Sequence, residues 1–144
     1  MHQRESERWL KQAKWDLKAA GDSAAAGNFE WACFQAQQAA EKALKSFLYG
    51  VGAEPTRLRS VRLLLERCGE LSPSFRQLPR ASDLDLLYFT SRYPNALPDD
   101  VPHEHFTPTD SKRALALASS VVRVAGAVDA QGRRTRSRDA APLH

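Results

Sequence analysis

The stretch from Phe29 to Tyr49 constrains the fold more than any other part of the chain. Cys33, Ala36, Ala40, Ala43, Leu44 and Phe47 fall on one stripe at helical spacing, and strong helix formers dominate Gln35 to Lys45. So many alanines on one stripe let a neighbouring helix approach closely. Gly50 and Gly52 then end the segment, because a residue free to adopt positive φ typically stands at a helix C-terminus. A long helix whose apolar face must be covered by other helices is the first expectation.

The neighbouring segments supply those helices. From Ser6 to about Ala26, Trp9, Ala13, Leu17, Ala20 and Ala24 recur every three or four positions, with Lys11, Lys14 and Lys18 opposite. Gly27-Asn28 breaks the pattern, with Asn28 placed to cap the next helix through its side chain. Residues 53–59 read as a connector. Ser60 to Cys68 is a shorter helix closed by Gly69, and Pro73 and Pro79 bracket a loop. A fourth helix is expected over about Ala81 to Thr90. Pro94, Pro98, Pro102 and Pro108 remove backbone donors from residues 91–108, so that stretch reads as a long loop without regular structure, the first place to look for function. Thr107 caps a last helix with Pro108 at its first position and Asp110 in its first turn, running to about Val128.

No segment shows the two-residue alternation of a strand. The expectation is an all-α fold, an up-and-down helical bundle of about five helices over residues 6–128, followed by a disordered basic tail, 129–144.

Hydrophobic residues make up 42% of the 144 and charged residues 26%, an ordinary balance that excludes a chain disordered throughout. No apolar run approaches the roughly 20 residues that span a bilayer, and the acidic start Glu5-Ser6-Glu7 is no secretory signal, so no membrane is expected and the cytoplasm is the expected compartment. The net charge of +4 says little about nucleic acid, because the tail's Arg133, Arg134, Arg136 and Arg138 against Asp129 and Asp139 supply half of it. Cys33 and Cys68 sit in apolar helical patterns without metal-ligand spacing and read as reduced core residues.

No phosphate-binding loop, dinucleotide fingerprint, zinc-protease or nucleophile-elbow motif occurs. His103 and His105 flank Glu104, but one loop seldom closes a metal site, so neither metal nor cofactor is expected. Ser91-Arg92-Tyr93-Pro94 is more telling. Arg92 offers a planar fork suited to phosphate and Tyr93 a stacking face; a carboxylate partner for Arg92 is the equally weighted alternative. Trp15, Trp31 and Tyr49 fall off their helices' core stripes, which points to a homodimer interface covering them.

Three blocks together resemble the HEPN (higher eukaryotes and prokaryotes nucleotide-binding) family over about residues 6–128. They are Arg8-Trp9-Leu10-Lys11-Gln12-Ala13 with Asp16-Leu17, the run Trp31 to Lys45, and Ser91-Arg92-Tyr93-Pro94. The similar branch includes small stand-alone prokaryotic proteins and the sacsin C-terminal domain. The resemblance implies a bundle of four to five helices, usually dimeric. Some members are linked to nucleotide binding, and others act as metal-independent ribonucleases in toxin–antitoxin pairs with a nucleotidyltransferase partner. Their ribonuclease motif is an Arg followed four to six residues later by a His. Here Arg92 is followed by Tyr93 and Pro94, and the next histidine is His103, eleven positions on. A His that often opens the third helix is replaced by Leu58-Arg59-Ser60-Val61-Arg62, where Arg59 or Arg62 keeps the charge but not the titratable base.

The leading expectation is a non-catalytic, dimeric domain that binds nucleotide or RNA phosphate through Lys42, Lys45, Arg59, Arg62, Arg92 and Tyr93. Two alternatives stay open: a ribonuclease toxin using Arg92 with His103 or His105 across two protomers, and a pure protein–protein interaction module.

Overall fold

The computed structural model describes residues 2–139 apart from 56 and 79, with side chains as far as residue 129. Among these the fold is all-α and no strand occurs. Helix α1 (His2–Ala25) and helix α2 (Phe29–Gly50) form an antiparallel hairpin, α3 (Val61–Leu71) returns along α2, and α6 (Pro108–Asp139) packs on both α1 and α2. Between α3 and α6 lie two single-turn helices, α4 (Leu87–Thr90) and α5 (Pro102–His105), and three short 3-10 segments, Pro73–Gln77, Ala81–Leu86 and Pro94–Ala96.

The alanine stripe explains the architecture. Ala36, Ala39, Ala40 and Ala43 are wholly buried, so α1 and α6 can both close on α2. Leu44, Leu48, Leu64, Leu84 and Val121 fill the space around them, each such side chain worth about 1.5–3 kcal/mol of burial. Gly27 (φ 84°) and Gly52 (φ 79°) bracket α2 in the left-handed region where a Cβ would be strained.

Several boundaries differ from the sequence reading. Asn28 stands at the N-cap of α2, but its side chain makes no capping hydrogen bond. Gly69 does not stop α3. It is buried within the helix, its carbonyl accepting from Arg76 Nε at 2.7 Å, and Ser72 is the C-cap. The expected fourth helix is 3-10 over Ala81–Leu86 and α-helical only for its last turn. The proline-rich stretch is more regular than expected, because Pro94 and Pro102 each open a short helix, the position where a missing N–H costs nothing. Thr107 and Asp110 do cap α6, exchanging Thr107 N to Asp110 Oδ2 (2.8 Å) and Asp110 N to Thr107 Oγ1 (3.3 Å). The backbone of α6 continues to Asp139, where the tail was expected to be disordered from 129. Residues 140–144, the side chains of the four tail arginines and Pro79 lie outside the described residues.

Candidate functional site

One carboxylate organises the region around Arg92. Asp85 accepts from Ser60 Oγ (2.9 Å), Val61 N (2.6 Å) and Arg62 N (3.1 Å), which places its charge on the free N–H groups that open α3. Ser60 Oγ also accepts from Leu63 N at 3.2 Å. This double cap holds the connector before α3 against the segment leading into α4. As a result Arg59 Nη1 donates to Tyr88 Oη at 2.6 Å.

Arg92, just beyond α4, sits among aromatic rings. Its Cζ is 4.4 Å from the Phe34 ring centroid, 4.7 Å from Tyr88 and 4.9 Å from Tyr93. Its Nε donates to the Tyr88 carbonyl at 2.9 Å. No described carboxylate pairs with Arg92, so the acid-paired alternative is not what this fold builds. Ring contacts of this kind contribute about 0.5–2 kcal/mol each and leave the terminal N–H groups for an anion.

Helix α2 contributes a polar flank that the sequence reading missed. Gln37 is fully buried, with Nε2 on the Arg59 carbonyl (3.4 Å) and Oε1 accepting from Gln38 Nε2 (2.8 Å). One turn on, Glu41 is 6% exposed, and its Oε1 accepts no hydrogen bond among the described residues. Burial pushes the Glu41 carboxyl above its ordinary range, and Asp85 adds to this, while Lys45, Arg59 and Lys42 oppose it. The signal was available, since at 100° per residue Glu41 falls about 20° from Phe34, on the flank rather than the wet face.

A pH dependence follows. A carboxyl whose folded value is raised binds protons more tightly in the native state, so wild-type stability falls as pH rises from the ordinary carboxyl range through the raised value. Glu41→Gln cannot ionise. Its melting temperature should therefore gain on that of wild type as the pH rises above the ordinary carboxyl range, by roughly 2–4 °C per kcal/mol of ionisation penalty. Thermal melts of both proteins from that range upward check this.

Of the residues expected to hold phosphate, Arg59, Arg92 and Tyr93 come together, and Lys45 lies one turn beyond Glu41. Lys45 Nζ turns to the Trp9 ring of α1, 5.8 Å from its centroid, and two others also stand apart from the group. Lys42 Nζ pairs with Asp16 Oδ2 at 2.5 Å on the α1 side. Arg62 pairs with Glu66 at 3.0 Å and lines a separate groove with Leu65 and Phe75.

His103 Nδ1 lies 2.7 Å from Glu30 Oε2, and Glu30 is buried one turn before Phe34, about 6 Å along α2. His105 is exposed, with its ring against Phe106. Trp15 and Trp31 are 57% and 50% exposed, but Tyr49 is half-buried with its ring 5.3 Å from Trp9. Cys33 and Cys68 are free and buried, and desolvation pushes both thiols up to about 12. Among the described residues no cluster of His, Cys, Asp or Glu could hold a metal ion, and no helix is long and apolar enough to cross a membrane.

Among known protein families, residues 6–128 match the HEPN domain. The crystal structure of TT1696 from Thermus thermophilus is similar at 34% identity and a TM-score of 0.79, covering 85% of this chain and 96% of that one. That of ST0689, an archaeal HEPN homologue, is similar at 31% identity and a TM-score of 0.72, covering 87% and 98%. No curated protein matches the chain significantly. The match across nearly the whole bundle, with the agreement in fold, establishes that the chain belongs to the HEPN domain family.

Proposed function

We propose that this HEPN domain is a non-catalytic, dimeric module that binds nucleotide or RNA phosphate at Arg59 and Arg92. The environment of Arg92 carries this reading. Three rings and the Tyr88 carbonyl fix the guanidinium, so its outward fork is oriented before any ligand arrives and little rotamer entropy remains to be lost. Arg59 bonds the hydroxyl of the same tyrosine and adds a second fork. Tyr93, 44% exposed, offers a face on which a base can stack. Trp31, exposed beside Phe34, supplies the interface aromatic of the dimer in this reading.

One observation favours the ribonuclease reading. His103 is held on α2 one turn from the ring that stacks on Arg92, so a base and a cation lie on neighbouring turns despite their sequence separation. In that reading the chain is a toxin neutralised by a nucleotidyltransferase partner.

Calorimetric titration of GTP, ATP and a short RNA, with the RNA inspected for cleavage afterwards, tests both. Saturable heat and intact RNA are expected. Arg92→Ala should weaken binding about 10- to 100-fold, the worth of charged hydrogen bonds, and Arg92→Lys should recover little, because an ammonium neither forks nor stacks. No saturable heat at millimolar ligand sinks the binding claim. RNA cut by wild type but not by His103→Ala replaces it with the ribonuclease.

A further inference from the structure

On the other side of α2 lies a second cationic and aromatic surface. Arg8, Trp9, Lys11, Gln12, Trp15 and Lys42 line an open groove of about 590 Å³ between α1 and α2. No acid is among these lining residues, and Asp16, bonded to two of them, is already used. Asp16 accepts from Gln12 Nε2 (2.8 Å) at one oxygen and from Lys42 Nζ (2.5 Å) at the other. Arg8 is held by Glu5, whereas Lys11 in the groove and Lys14 beside it have no acidic partner among the described residues. Trp9 is backed by Tyr49 and approached by Lys45 Nζ at 5.8 Å, while Trp15 keeps more than half its surface open.

We infer that this groove is a stacking subsite for single-stranded nucleic acid, receiving the continuation of a strand whose phosphate is held at Arg59 and Arg92; the inference rests on that phosphate site. Open indole faces interleaved with unpaired cations are the means by which proteins hold single strands without reading sequence. The two sites are joined by α2 itself. Phe34, which carries Arg92, and Lys42, which enters the groove, are eight residues apart and so about 12 Å along the axis, which with the turn around the helix takes at least three to four stacked nucleotides at ~3.4 Å each. Lys45 stands between the two sides, with its charge felt by Glu41 and its ammonium near Trp9. A second copy of the chain is a poor occupant. An isologous contact on this face would press two copies of the same cationic surface, Arg8, Lys11 and Lys14, together.

The test is fluorescence anisotropy of labelled oligouridylates, from one to twelve nucleotides, against the full chain, with a twelve-base-pair RNA duplex as a further arm. Wild-type affinity should rise with length and favour the single strand over the duplex. Trp15→Ala and Lys11→Glu, both at exposed positions that leave the core intact, should each weaken the twelve-nucleotide strand roughly tenfold while leaving the mononucleotide unchanged. Quenching of tryptophan fluorescence by the long strand should shrink in Trp15→Ala. Equal affinity of wild type and Trp15→Ala for the long strand overturns the inference, as does a fall in light-scattering mass in that variant, which would mean a second copy covers the groove. Mononucleotide binding that survives Arg92→Ala would instead remove the phosphate site on which the strand path depends.

Discussion

Leu44→Ala should lower the free energy of unfolding by about 2–5 kcal/mol, measured by urea denaturation with circular dichroism. Leu44 is wholly buried in the middle of α2. Its carbonyl accepts a long contact from Cys68 Sγ at 3.6 Å, so the position lies where α3 crosses α2. Of its buried neighbours on α2, Ala40 and Ala43 have no side-chain length with which to refill the space, whereas Phe47 and Leu48, three and four residues on, can relax into part of it. The loss should therefore fall inside that range rather than at its top, because a site that collapses in part keeps a smaller cavity. A change under about 1 kcal/mol would mean that α2 is not packed on both sides as described.

Asp85→Ala should destabilise by about 2–3 kcal/mol, and it should also loosen the functional surface. Three hydrogen bonds to one carboxylate are lost at once, two of them from N–H groups at the opening of α3 that have no other partner there. Ser60 keeps its bond to Leu63 N, so α3 itself survives and the loss stays well short of three full charged hydrogen bonds. What gives way is the connector ending in Arg59, whose contact with Tyr88 depends on that tie. Asp85→Asn keeps an acceptor but not the charge, and should lie between wild type and alanine. Nucleotide affinity should fall with stability in this series, whereas Leu44→Ala, if folded at the assay temperature, should bind as wild type does. Equal nucleotide affinity in Asp85→Ala and wild type would show that Arg59 is positioned by something other than the capped connector.

The helices were legible in the sequence to the extent that their signals are local. Residues 9, 13, 17 and 20, or 36, 40, 43 and 47, share a face because of the 3.6-residue turn alone, whatever packs against them. Thr107, Pro108 and Asp110 announced their cap for the same reason, since every atom of it lies within four residues. Gly69 misled because a glycine's permissiveness says only that a helix can end. Packing kept the helix running, with Arg76 bonded to the Gly69 carbonyl. The prolines of residues 91–108 misled similarly, since each forbids a donor at its own position but not the turn that begins there.

The candidate site was legible in kind and not in membership. Arg92 and Tyr93 stood out by chemistry, yet Arg62 looked as suitable as Arg59, and only the Asp85 cap turns one toward Tyr88 and leaves the other on Glu66. Glu41 is singled out only by its burial, with Oε1 accepting no hydrogen bond among the described residues. By itself, then, the sequence determined the helical class, the alanine face that makes α2 the axis, and the presence of a cationic and aromatic chemistry. The tertiary structure alone decided that Phe34 and Arg59 meet the local Tyr88–Arg92 pair, because these residues come from three different segments. Their distances depend on how the helices pack, a relation between segments that no local repeat encodes.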